Sequence, residues 1–156
     1  MRFFSERIGR RSVAPGALAV CLFVAACGGS GVSKNDYVKS LNDAVASLQK
    51  STASLGPDAV GGAGAVARLE SGSKAMDVAA ENFGKITPPD DAKHAHGQIV
   101  DGLHKLADTF DDAATAARSK DNDKLLKVLQ GLDESTGARE LQAATEELSS
   151  KGYKVQ

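Results

Sequence analysis

The residues best suited to chemistry cluster in one stretch. His94, His96 and His104, the only histidines in the chain, stand among Asp90, Asp91, Asp101 and Asp108. Two Asp-x-x-His spacings occur, Asp91/His94 and Asp101/His104. Residues three apart on a helix share a face, so each pair offers two metal ligands to one side. Di-metal bundles, however, draw such units from two helices that face each other across a core. Here both units fall on one helix, with His94 and His104 turned away from its apolar stripe and His96 on the flank. The expectation is two solvated histidines and one boundary histidine, with no metal and no cofactor.

Other patterns fail on context. Gly62-Ala63-Gly64-Ala65-Val66-Ala67 matches a loose dinucleotide-loop pattern but has no strand before it. Ser71-Gly72-Ser73-Lys74 has the Ser-x-x-Lys spacing of penicillin-recognising enzymes without their partner motifs. Asp121-Asn122-Asp123 lacks the glycine and distal glutamate of a calcium loop. No Walker loop, Gly-x-Ser-x-Gly or His-Glu-x-x-His is present. The chain therefore reads as a non-enzyme.

Four helical stretches carry these residues. The first, over 35–55, has an apolar stripe of Tyr37, Leu41, Val45 and Leu48, with Ser33 placed to cap it. The second, over 58–85, starts among glycines that weaken its first turns. The third, over 90–119, follows Thr87-Pro88-Pro89, a hydroxyl cap and prolines where no N–H is needed. The fourth, over 122–150, is capped by Asp121 and stopped by Gly152 in a left-handed position, leaving Tyr153 free to fold back. The stripe of the fourth slips phase near Gly137, which predicts a bend or break there. No segment alternates like a strand. Short joints make successive helices antiparallel neighbours, so the expected fold is all-α, an up-down-up-down antiparallel four-helix bundle over 34–153 with a tail at 154–156. The start of the first helix, the second joint and the end of the fourth then share one end of the bundle.

The chain opens with Arg2, Arg7, Arg10 and Arg11 against one acid, Glu6, and then runs apolar over 13–26. That is the layout of a secretory signal, and too short to span a bilayer as a helix. Arg10-Arg11 raises a twin-arginine export route, which the surrounding residues fit poorly. The apolar run ends Val24-Ala25-Ala26-Cys27 and continues Gly28-Gly29-Ser30-Gly31. This resembles the lipobox of bacterial lipoproteins. The resemblance implies cleavage of residues 1–26, lipid on the Cys27 sulfur, and a short flexible tether over 27–33. Ile86-Thr87-Pro88-Pro89, His94 or His96, and Leu148 with Gly152-Tyr153 also resemble small secreted helical lipoproteins of high-GC bacteria. That likeness implies an envelope domain and no reaction.

Composition limits the remaining choices. The chain has 156 residues, 42% of them hydrophobic and 4% aromatic, which suits one domain. Its formal net charge is −1, and loss of four Arg and one Glu with residues 1–26 leaves −4. Such a chain has no basic stripe for nucleic acid. The lipobox resemblance implies that Cys21 is discarded with the signal segment and that Cys27 carries lipid, which would leave no thiol for redox or metal chemistry. The expected function is a non-catalytic binding or scaffolding module, held to the membrane by lipid on Cys27 and facing an envelope protein or cell-wall component. The alternative is an extracytoplasmic carrier for a small molecule or a metal.

Overall fold

The computed structural model describes residues 31–53 and 64–155. Among them the fold is all-α, with five α-helices and a 3-10 turn: α1 (Lys34–Thr52), α2 (Ala65–Gly84), the turn Asp90–Ala92, α3 (Lys93–Arg118), α4 (Asn122–Gln130) and α5 (Thr136–Ser150). The expected signal segment, Val24, Ala25, Ala26, Cys27 and most of the tether lie outside the described residues, as do the expected start of the second helix and Gln156.

Local chemistry explains most boundaries. The Ser33 hydroxyl accepts from the Asp36 N–H at 3.1 Å, and Asp36 adds negative charge at the positive end of α1. Asp121 caps α4 in the same way, accepting from the Lys124 N–H at 3.0 Å. At the far end Gly152 adopts φ 82°, and the Tyr153 N–H reaches back to the Leu148 carbonyl at 3.0 Å. The left-handed turn tucks Tyr153 into the core, where it is buried.

Three expected boundaries move. The second helix begins at Ala65, because Gly64 sits at φ 105°, outside helical geometry. The third begins with a 3-10 turn, and Thr87 does not cap it. Pro89 stays extended at ψ 156° and its carbonyl accepts from the Ala92 N–H at 2.9 Å. The fourth stretch is two helices, and the interruption lies at 131–135, not at Gly137. Gly131 ends α4, and the Ser135 hydroxyl caps α5 by accepting from the Ala138 N–H at 3.2 Å.

The reason Gly137 does not bend the chain is tertiary. It lies in the first turn of α5, pressed onto Gly102 of α3. A Cβ on Gly137 would fall 2.6 Å from the Gly102 carbonyl oxygen and 2.9 Å from the Leu106 nitrogen. The missing side chain serves close helix approach.

α3 is the central helix and packs against α2, α4 and α5, while α1 packs on α2. Glu70 pairs with Arg118 and Asp77 with His104, so α2 and α3 run antiparallel. His94 pairs with Glu147 and Lys105 with Glu140, so α3 and α5 do the same. The larger core joins Tyr37 and Leu41 to Phe83, Ile99, Leu103 and Leu148. A smaller one gathers Leu69, Ala113 and Ala114 under Phe110 and the half-buried side of α4. Among the described residues no helix is long and apolar enough to cross a membrane.

Candidate functional site

Two features adjoin at one end of the molecule: a polar clasp and an apolar cleft. The clasp ties together the start of α1, the turn before α3 and the end of α5. Lys34 Nζ lies 3.1 Å from Asp91 Oδ2 and donates to the Lys151 carbonyl at 3.1 Å. It also sits 4.7 Å above the Tyr153 ring, within cation–π range. The Tyr153 hydroxyl donates to Asp91 Oδ1 at 2.6 Å. Lys151 Nζ donates to the Asp91 carbonyl and to Glu147, each at 2.5 Å, and His94 Nδ1 stands 2.7 Å from the same glutamate.

These contacts account for the acid–base properties of the clasp. The hydrogen bond from Tyr153, then that from Lys34, holds the Asp91 carboxyl below the usual range. Glu147 is lowered by Lys151 first and His94 second. Tyr153 is pushed up by burial and by its bond to Asp91. Tyr153→Phe should therefore let Asp91 rise toward its ordinary value while the fold stays intact. An NMR titration of the Asp91 carboxyl checks this, and an unmoved midpoint refutes the assignment.

Behind the clasp is a sealed pair. The Tyr37 hydroxyl lies 3.0 Å from His96 Nδ1, and the Tyr37 ring meets Tyr153 edge-on with centroids 5.5 Å apart. Tyr37 has 0% exposure and His96 7%. Burial lowers the His96 pKa, partly offset by a hydrogen bond to the Phe83 backbone. Burial also pushes Tyr37 up to about 12. The lowered pKa favours the neutral imidazole, whose Nδ1 can then accept from the Tyr37 hydroxyl. Both side chains are buried, and their contact joins α1 to α3.

The candidate metal ligands are dispersed. His94 and His104 are exposed, and His96 is buried further than its expected boundary position. Asp91 turns to Tyr153 and Lys34, and His94 to Glu147. His104 reaches across to Asp77 of α2 at 3.1 Å, while Asp101 is exposed. Among the described residues no three of His, Cys, Asp and Glu group to hold a metal ion. Ser71 donates to the Ala67 carbonyl of its own helix at 2.7 Å, and Lys74 is exposed.

The cleft was not legible in the sequence. α1 lends it Leu41, Val45 and Leu48, and α5 lends Leu141, Thr145 and Leu148. Ile99 and Leu103 of α3 form its floor, with Phe83 beside them and Val155 at its edge. Its volume is about 210 Å³. It exists because α1 leans on α2 and α5 on α3, which leaves a seam where the apolar stripes of α1 and α5 face each other without closing. The lining groups offer one hydroxyl, and Thr145 Oγ1 already donates to the Leu141 carbonyl at 2.8 Å. Such a surface can exclude water and hold hydrocarbon, and carries no acid, base or nucleophile.

No protein-family model matches the chain, and no match emerged among curated proteins or solved structures.

Proposed function

We propose that this protein is a lipid-anchored, non-catalytic binding module of the bacterial cell envelope, with the α1–α5 cleft as its binding surface. The observation that carries the reading is the cleft itself: an aliphatic slot open to solvent, beside a clasp whose polar groups are already paired. The partner is an envelope protein or a cell-wall component. The alternative, a carrier of a small apolar molecule, draws on the same slot. A metal carrier draws no support from the dispersed histidines.

In this proposal α1, α2, α3 and the α4–α5 pair are the four legs of an up-down-up-down bundle. Lipid on Cys27 tethers the end that holds the clasp. From Cys27 to Ser33 the chain spans six residue steps, at most about 20 Å. That keeps Lys34, Asp91 and Lys151 near the membrane surface.

The test combines fractionation with cross-linking in the native host. Wild-type chain should sit in the membrane fraction, and Cys27→Ser should release it while the bundle stays folded. A photo-cross-linker at Thr145 should capture an envelope component, and one at exposed Asp108 should not. Equal membrane retention of Cys27→Ser with unchanged N-terminal processing overturns the lipid anchor. Equal capture from both positions overturns the cleft as the binding surface.

A further inference from the structure

We infer that the α1–α5 cleft takes one single-chain amphiphile with an anionic head, a fatty carboxylate, with its tail in the slot and its head at Lys154. The inference rests on the reading of the cleft as the binding surface. The size of the slot limits the tail. It runs from Leu41 to Leu48 along α1 and from Leu141 to Leu148 along α5, about 10 Å at the helical rise. A volume of about 210 Å³ exceeds the roughly 150 Å³ of a dry engineered cavity that accepts benzene. It suits one alkyl chain and is too small for two.

The mouth supplies the charge. Thr145 and Val155 line both the cleft and an adjoining depression that includes Gly152 and Lys154. The slot therefore opens toward the C-terminal segment. Lys34 and Lys151 are committed to Asp91 and Glu147. Lys154 is exposed and makes no ion pair among the described residues. The nearby carboxylates are also engaged, Glu147 by Lys151 and His94, and Glu146 by the Gln142 amide at 3.0 Å. An aliphatic slot that ends beside one uncommitted ammonium is complementary to a carboxylate with a hydrocarbon tail.

The test titrates octanoate, below its micellar concentration, into the full chain carrying Cys27→Ser, with octanol as the neutral counterpart. One octanoate should bind per chain, saturably. Thr145→Trp, which plugs the mouth, should abolish binding, and Val45→Trp in the α1 wall is the second blocking variant. Circular dichroism confirms that each variant is folded. Lys154→Glu should weaken octanoate roughly five-fold and leave octanol unchanged. Absence of saturable binding, or binding indifferent to both tryptophans, overturns the inference. So does equal affinity for acid and alcohol. If wild-type lipidated protein refuses octanoate that Cys27→Ser accepts, the slot belongs to the chain's own acyl group, and the free ligand is overturned. Capture of an envelope polypeptide at Thr145 without octanoate binding overturns this inference and leaves the proposed function standing.

Discussion

Gly137→Ala should lower the melting temperature by roughly 5–10 °C, although alanine is the better helix former. The new methyl would lie 2.6 Å from the Gly102 carbonyl oxygen, 2.9 Å from the Leu106 nitrogen and 3.1 Å from Leu106 Cγ. The first two are backbone atoms of α3, so relief requires α5 to move away. Gly102 meets the same crossing from the other side, where a Cβ would stand 2.9 Å from the Gly137 carbonyl oxygen. Overpacking of this kind costs about 1–3 kcal/mol, which outweighs a propensity gain of up to about 1 kcal/mol. Separating α3 from α5 also strains the Lys105–Glu140 and His94–Glu147 pairs. Gly97→Ala provides the opposite sign. Gly97 is helical and exposed, and nothing lies within 4 Å of its would-be Cβ. That variant should gain up to about 1 kcal/mol through propensity alone. Paired thermal melts of the two variants decide the matter. A Gly137→Ala chain as stable as Gly97→Ala would show that α3 and α5 do not meet backbone to backbone.

The second large effect is loss of stability on mild acidification. His96 is buried as a neutral ring, and its folded-state pKa is lowered by burial. In the unfolded chain it titrates near about 6.5. Between the folded value and about 6.5 the unfolded state binds more protons, so stability falls as the pH drops through that window. The depressed carboxyls of Asp91 and Glu147 act later. Their stabilising contribution is present above the ordinary carboxylate range, near about 4, and is lost as the pH falls through their folded values. Denaturant melts from pH 7.5 to 5 should therefore show a decline that His96→Gln flattens. Glutamine keeps an acceptor for Tyr37 and a donor for Phe83 but takes up no proton. A wild-type profile that stays level across this window would contradict the neutral, buried imidazole. At fixed neutral pH, Tyr37→Phe strips the partner from His96 Nδ1 inside the core, at a cost of about 1–3 kcal/mol.

Both predictions concern contacts between residues far apart in the chain. The sequence alone determined the all-α class, because three-and-four spacing of apolar residues is a property of each segment by itself. It also determined the caps at Ser33 and Asp121 and the left-handed stop at Gly152, whose bonds close within a few residues. Tyr153 could be expected to fold back, since the turn that places it is local. Where a boundary depended on the chain's own choice between two nearby signals, the sequence was less decisive. Gly131 and Ser135 split the fourth stretch, while the phase slip pointed at Gly137.

Only the tertiary structure decided what Gly137 is for, since a glycine that bends a helix and a glycine that admits a neighbouring backbone look alike in one dimension. It also decided the fate of the histidines. Periodicity placed His96 at the edge of the apolar stripe, but its burial comes from Tyr37, 59 positions earlier, and from Phe83. The chain's two tyrosines, both meeting at the clasp, were the available signal in an aromatic-poor sequence. The cleft had no such signal. Its wall residues read as ordinary core positions of α1 and α5, and they line a slot because those two helices lean on different neighbours. A helix's apolar face is written in its own spacing, whereas the gap between two faces depends on where the other helices hold them.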